Sequence, residues 1–266
     1  MNASDTAFVI ICATMVMLMT PALALFYGGL VRARNVLSTH MHSYASLGLI
    51  TVLWALVGYT LAFGDDLGGV IGNFSYLFLN GVEGTAAPAA SNLPHTVFVA
   101  FQCMFAVLTV ALISGAYAER IRFSAMLLFS GLWLIFAYAP MAHWVWGGGW
   151  LSELGFLDWA GSAVIHMVGG LSALLGAWML GPRLGKYSKK KDGSIQANAI
   201  PGHSLTLGAL GCFILWFCWY GFNGAAAGDS VQMAQILGTT TIAPAVATVS
   251  CMIFTWVRSG KPDVSM

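Results

Sequence analysis

The chain has 266 residues, of which 58% are hydrophobic and 8% are charged, and its formal net charge is +1. Soluble domains carry about 25% charged residues, so this composition excludes an ordinary soluble protein and predicts an all-α, polytopic membrane protein. The balanced charge provides no strongly basic surface for a nucleic acid.

Seven apolar runs follow one another in one predicted domain over residues 1–266, and each reaches the roughly 20 residues that cross a bilayer as a helix. The first run is too long, and its flank too uncharged, for a cleaved signal peptide, so it is interpreted as the first span. Two polar links stand out, at residues 64–94 and 183–193. The runs cover roughly residues 6–31, 43–63, 96–117, 123–143, 160–181, 202–227 and 234–257.

The basic residues predict the orientation. All eleven Lys and Arg lie after the first, third, fifth or seventh run, on one side of the membrane. By the positive-inside rule this side is cytoplasmic, which places the N-terminus outside and residue 266 inside. We therefore expect a multi-pass protein of the cell membrane, either a plasma or an inner membrane.

The fifth run contains one titratable side chain near its middle, His166, in the segment DWAGSAVIHMVGGLSALLGAWMLGPR. Counted from Asp158, this histidine lies roughly 12 Å deep, where an ionisable group usually lines a pathway or pairs with a neighbouring helix. A pathway role is favoured, and a structural hydrogen bond to a neighbouring helix is the alternative. Asp158 opens the helix, where a carboxylate can cap free N–H groups.

Aromatic residues gather near the predicted outer side. The motif HWVWGGGW (143–150) holds three Trp around a Gly triplet, and Trp146 could attract a small cation to its ring face. Phe101 and Phe105 lie one helical turn apart, a spacing more typical of packing than of a gate. Phe222 lies among small residues that favour close helix packing.

The remaining polar groups predict no cofactor. The other histidines lack a surrounding cluster of Cys or carboxylate ligands, so no metal site is expected. The five cysteines lie in apolar runs without a CxxC pair and are expected to be buried free thiols. The motif AERIRF (118–123) predicts a cytoplasmic turn with a local Glu119–Arg122 contact.

Other classes of membrane protein fit less well. Seven spans with an outer N-terminus suit a receptor or a light-driven pump, but a retinal protein needs a lysine at mid-membrane depth for its Schiff base. Every lysine lies in a predicted cytoplasmic segment, which excludes the pump. No acid, base and nucleophile occur at matching depth, so a membrane enzyme is not favoured.

Taken together, the motifs resemble the ammonium transporter family (Amt/Mep/Rh). They are PALALFYGGLVRARNVLS (21–38), FQCMFAVLTVALISGAYAERIRFSA (101–125), HWVWGGGW (143–150), DWAGSAVIHMVGG (158–170) and WYGFNGAAAG (219–228). The resemblance implies transport of ammonium or ammonia, with recruitment of the cation, loss of a proton and passage through a hydrophobic pore. An ammonium sensor on the same fold is the alternative.

The resemblance also implies roles for single residues at the outer recruiting site. Trp146 and Phe105 would bound this site, with Ala160 beside them. Asp158 would organise it as a buried acid. The family often places a Ser where this chain has Ala226, so weaker binding is expected.

Beneath that site, the resemblance implies a pore. Phe105 and Phe222 would form a stacked aromatic gate, and Phe101 would be a further residue of the binding site or pore. His166 would be the first of two pore histidines.

The family fold has eleven helices, built as two inverted five-helix repeats and a last helix. By this comparison the chain carries the first repeat and two helices of the second, without the second pore histidine or the regulatory tail. We therefore expect a portion of a longer transporter that does not conduct by itself. The resemblance further implies a homotrimer with a pore in each subunit, and possible regulation by a small cytosolic PII-type protein.

Overall fold

The computed structural model describes residues 1–264, so the predicted cytoplasmic position of Met266 lies outside the described residues. Seven helical segments within them are long and apolar enough to cross a membrane, which confirms the predicted number of spans. These spans are Ala3–Leu30, Ala33–Phe63, His95–Tyr117, Phe123–Glu153, Ser162–Leu180, Leu205–Gly224 and Ser230–Ser259.

Three spans contain a π-helical turn: Trp54–Gly58, Leu134–Tyr138 and Ser162–Met167. Such turns break the regular ladder of hydrogen bonds locally and often mark functional sites. The α-helices are α1 (Ala3–Leu30), α2 (Val36–Leu53), α3 (Tyr59–Phe63), α4 (His95–Tyr117), α5 (Phe123–Trp133), α6 (Ala139–Trp146), α7 (Trp150–Glu153), α8 (Val168–Leu180), α9 (Leu205–Gly224) and α10 (Ser230–Ser259).

The second and fourth spans are longer than their apolar runs. The second begins at Ala33 rather than near residue 43, and the fourth extends to Glu153 rather than 143. Helices continue past the hydrocarbon layer because their backbone bonds are satisfied within the helix, whatever the side chains. Hydropathy locates the apolar part of a span and not its helical ends.

The polar links contain short antiparallel hairpins. Strands β1 (Asp66–Leu67) and β2 (Ile71–Gly72) form the first, which we call the outer hairpin. Its turn passes through Gly68 and Gly69, both at positive φ, a conformation that glycine adopts without steric cost. The other strands are β3 (Ala86–Ala87) with β4 (Ala90–Pro94), and β5 (Tyr187–Lys189) with β6 (Ile195–Ala197); 3₁₀ turns occur at Ala33–Asn35 and Leu77–Leu79.

Helix α4 packs against α1, α2 and α8. It is the most buried span, with 72% of its apolar 18-residue window buried, whereas in α10 that share is 6%. Helices α1 and α9 are in close contact at Gly211, where a Cβ would collide with the backbone of α1 at Phe26. The absence of a side chain at Gly211 permits this approach. Two cysteines, Cys212 and Cys251, lie exposed on α9 and α10, so the prediction that all five thiols are buried was wrong.

The link that holds Glu119 joins two other links at one end of the bundle. Its carboxylate accepts hydrogen bonds from the Arg32 backbone N–H and the Asn35 side-chain N–H, both at 2.8 Å. Arg183 Nη1 and Arg32 Nη1 lie at 3.4 and 3.7 Å from the same carboxylate. The predicted local contact with Arg122 was therefore wrong, because partners distant in sequence occupy the carboxylate. We call this the inner end and the opposite end, which carries residues 64–94, the outer end.

Candidate functional site

A cavity of about 830 Å³ opens at the outer end of the bundle. The first, third and fourth spans supply its walls, together with residues 89–93, 158–160 and 224–230. Six predicted site residues line it, which brings together positions far apart in the sequence. These residues are Phe101, Phe105, Trp146, Asp158, Ala160 and Ala226.

An aromatic layer closes the inner side of this cavity. The Phe105 ring lies 4.6 Å from the Phe101 ring, 4.8 Å from the Phe222 ring and 6.3 Å from the Trp146 ring, measured between centroids. Phe105 and Phe222 meet at an interplanar angle of 82°, so the rings contact edge to face. The expectation of a stacked pair was wrong in this respect, because ring quadrupoles favour edge contact over a face-to-face sandwich.

His166 lies on the inner side of the aromatic layer. Its ring centroid is 5.8 Å from that of Phe222 and 5.6 Å from that of Trp219, with which it stacks at 12°. The π turn Ser162–Met167 carries His166, whose backbone N–H bonds to Gly161 five residues earlier. The order along this path is therefore cavity, Phe105 with Phe222, and then His166.

Trp219 was not among the predicted site residues. It covers one face of the His166 ring and lies three residues before Phe222 on α9. Residues three apart share a helix face, so this spacing was a usable signal. The glycine-rich surroundings instead favoured an interpretation as close packing.

Asp158 holds the start of the fifth span. Its carboxylate oxygens accept from the backbone N–H groups of residues 161 to 164, at 2.9, 2.7, 2.8 and 3.1 Å. Its backbone carbonyl accepts from the Trp146 indole N–H at 2.7 Å. The structure thus shows the predicted cap. Because its oxygens are already engaged, Asp158 acts on the cavity by fixing the helix start and Trp146.

Gln102 is a second cavity residue that sequence reasoning missed. Its side chain is 8% exposed, and its Oε1 has no hydrogen-bond partner among the described residues. A buried acceptor without a partner is costly, which makes this oxygen available to a ligand with N–H donors. An amide inside an apolar helix is itself a signal in the sequence.

Acidic residues stand at the rim of the cavity. Asp5 accepts a hydrogen bond from the Asn92 side chain at 2.8 Å, and Asp229 caps the start of α10. With Asp158 they line a cavity that has no Lys or Arg among its lining residues in the described chain. This distribution favours cations over anions at the outer end.

Comparison with known proteins identifies a family. The model of the Ammonium Transporter Family matches residues 7–266. The ammonium transporter of Bacillus subtilis (strain 168) is 45% identical over 99% of this chain and 63% of its own length. That of Aquifex aeolicus (strain VF5) is 41% identical over 99% of this chain and 60% of its own length.

Solved structures share the fold. Candida albicans Mep2 superposes with a TM-score of 0.89 at 31% identity, over all of this chain and 58% of its own. A Sensor Amt Protein superposes with a TM-score of 0.88 at 32% identity, over 98% of this chain and 64% of its own. The chain thus spans about three fifths of the length of these relatives. It is a multi-pass membrane protein and belongs to the Ammonium Transporter Family.

Proposed function

We propose that the protein carrying this chain moves ammonium or ammonia across a membrane, along a path from the outer cavity past His166. The observation that carries the proposal is the order of groups along this path. An aromatic cavity with an acidic rim leads to the Phe105–Phe222 layer, and the His166 ring lies directly beneath it. Family membership supplies the substrate.

The outer cavity suits recruitment of a small cation. Trp146 and Phe105 present aromatic rings on which a cation is stabilised by about 0.5–2 kcal/mol. The Gln102 carbonyl oxygen adds an acceptor for an N–H donor. Ala160 and Ala226 complete the wall without polar side chains.

Passage beyond the aromatic layer favours the neutral molecule. Carrying an intact cation through a dry pore costs on the order of 10 kcal/mol or more. Removing a proton from an amine-like cation at pH 7 costs at most about 4–5 kcal/mol, taking a lysine as reference. We therefore infer that ammonium transfers a proton to water near the aromatic layer and that ammonia passes along His166.

The fold also supports a sensor as the second candidate, because the Sensor Amt Protein superposes closely on this chain. A sensor would bind ammonium in the same cavity without sustained flux. Flux, rather than binding, therefore separates the two functions.

We further propose that the protein forms homotrimers in the cell membrane, with the N-terminus outside. The inner end supports this orientation, because Arg32 and Arg183 both pair with Glu119 there. Basic residues are enriched on the cytoplasmic side of membrane proteins. The 183–193 link, which contains the Glu119 partner Arg183, also carries exposed lysines. These lysines would face a cytosolic PII-type regulator.

The proposal is tested by ammonium flux through the native protein that carries this chain, reconstituted in liposomes. We expect saturable uptake above that of protein-free liposomes. Replacing Trp146 by Leu should raise the half-saturating concentration about two- to thirtyfold, the loss of a cation–π contact. Trp178, which is 79% exposed on α8, provides the matched control Trp178→Leu, which should leave uptake unchanged. Binding without flux would favour the sensor, and neither binding nor flux would reject both.

A further inference from the structure

The outer hairpin is bonded to the segment 143–150, which carries Trp146. The Trp144 indole N–H donates to the Val70 carbonyl at 2.7 Å, and the Trp150 backbone N–H donates to the Gly69 carbonyl at 3.0 Å. A third contact joins side chains, because His143 Nε2 lies 2.8 Å from Asp66 Oδ1. The hairpin therefore supports this segment along its whole length.

His143 is fully buried between two oxygen acceptors. Its Nδ1 lies 3.0 Å from the Ala62 carbonyl oxygen, while its Nε2 faces the Asp66 carboxylate. The ring is therefore held from both sides, by a backbone carbonyl and by a carboxylate.

The Asp66 carboxylate is held in place as well. The hydrogen bond from His143 holds the pKa of Asp66 below its ordinary value, and the Gly69 backbone N–H adds to the effect. This N–H lies 2.9 Å from both carboxylate oxygens and fixes the Asp66 rotamer across the hairpin turn. Asp66 is therefore the ionised partner.

The backbone of His143 also shapes the turn that follows Trp146. Its carbonyl oxygen accepts from the N–H groups of Gly147 and Gly149, both at 3.0 Å. A Cβ on Gly147 would collide with the Ala62 carbonyl and with the His143 ring, so these groups are tightly packed. On its other side, Trp146 is held by its bond to the Asp158 carbonyl. Trp146 thus lies between two fixed points.

We propose that the hydrogen-bonded Asp66–His143 pair positions Trp146 in the outer cavity and thereby sets the affinity for the substrate cation. The inference rests on the proposed function, since it concerns recruitment by the same cavity. Asp66 and His143 act here as positioning residues through Trp146. Neither lines the cavity within the described chain.

Other titratable groups on the neighbouring elements are engaged elsewhere. Asp65 accepts from the Asn73 side chain at 3.1 Å. Tyr59, on the helix that ends beside Ala62, bonds to His95. Asp158 caps the fifth span. Asp65 is therefore the matched control, since it has the same charge as Asp66 and lies next to it in the sequence, but has no bond to the segment 143–150.

The test compares the variants Asp66→Asn and Asp65→Asn in the native protein in liposomes. For Asp66→Asn we expect KM for ammonium uptake to rise about threefold to tenfold, with Vmax per correctly assembled protein within about twofold, because a displaced binding group weakens recruitment. Hydrogen exchange at Gly149 and Trp150 should become faster in the same variant. Asp65→Asn should match the wild type in both measurements.

The outcomes separate this inference from the proposed function. A wild-type protein that neither binds nor transports ammonium rejects the proposed function, and the inference falls with it. Wild-type transport with an unchanged KM for Asp66→Asn rejects the inference alone. A higher KM together with a lower Vmax, to the same extent in both variants, would show a general effect of charge removal. That result would likewise overturn the inference.

Discussion

Ala226 lines the outer cavity without a hydroxyl group, at a position where the family resemblance predicts a Ser. Replacing it with Ser adds an acceptor for the ammonium N–H donors, and hydrogen bonds to charged groups contribute about 1.5–3 kcal/mol. The variant Ala226→Ser should therefore bind ammonium about tenfold more tightly or better, measured as the half-saturating concentration of uptake. Ala227→Ser, at the neighbouring position in the same cavity, is the control. Equal affinities of the Ala226→Ser variant and the wild type would contradict the assignment of this position.

Single residues were predictable where their type conflicted with their surroundings. His166 and Asp158 stood out because an ionisable group in or beside an apolar helix is costly and needs a reason. Trp219 did not stand out, because an aromatic residue in an apolar run is ordinary. His143 also lacked a signal, since its partners Ala62 and Asp66 lie about 80 positions earlier and only folding brings them together.

At the scale of elements, Glu119 connects three links at the inner end. Its side chain is 1% exposed, and its partners come from the links after the first and fifth spans. Replacing it with Gln removes charge-assisted hydrogen bonds and should lower the free energy of unfolding by about 1.5–3 kcal/mol. Arg122→Gln, in the same link, is the control. Thermal unfolding of the native protein in detergent measures the difference.

The pH dependence of this effect has a definite sign. Burial raises the pKa of Glu119, but the hydrogen bonds from Asn35 and Arg32 and the charges of Arg32 and Arg183 outweigh it, so the pKa lies below its ordinary 4.5. A lowered folded pKa gives stability that is present above the unfolded value and lost as the pH falls through the folded value. The stability difference between wild type and Glu119→Gln should be constant above about pH 5.5 and shrink below about pH 4.5. A difference that grew on acidification would contradict the ionised pair.

Elements differed in how far the sequence predicted them. The seven spans followed from hydropathy because a bilayer demands long apolar helices. The three π turns did not, because one extra residue in a helical turn leaves no mark in hydropathy. The outer hairpin lay within a polar link whose two-residue strands are too short for an alternating pattern.

For the whole molecule, the family resemblance supplied what composition could not. Hydropathy predicted seven spans and the basic residues predicted an orientation, but any class of transporter or receptor is compatible with both predictions. The arrangement of the cavity, the aromatic layer and His166 depends on contacts between the third, fifth and sixth spans. Motifs carried over residue by residue predicted most of these contacts, whereas the edge-to-face geometry of Phe105 and Phe222 required the structure.

The proposed function depends on passage of the substrate beneath the aromatic layer, along the His166 ring. Its most direct test is the ammonium flux and the ammonium-to-potassium selectivity of a His166→Ala variant of the native protein in liposomes, with assembly checked by size-exclusion chromatography. We predict a change of at least about tenfold in flux or selectivity, about 1.4 kcal/mol in the barrier, with the assembly size unchanged. Unchanged flux and selectivity in the correctly assembled variant would contradict passage along His166.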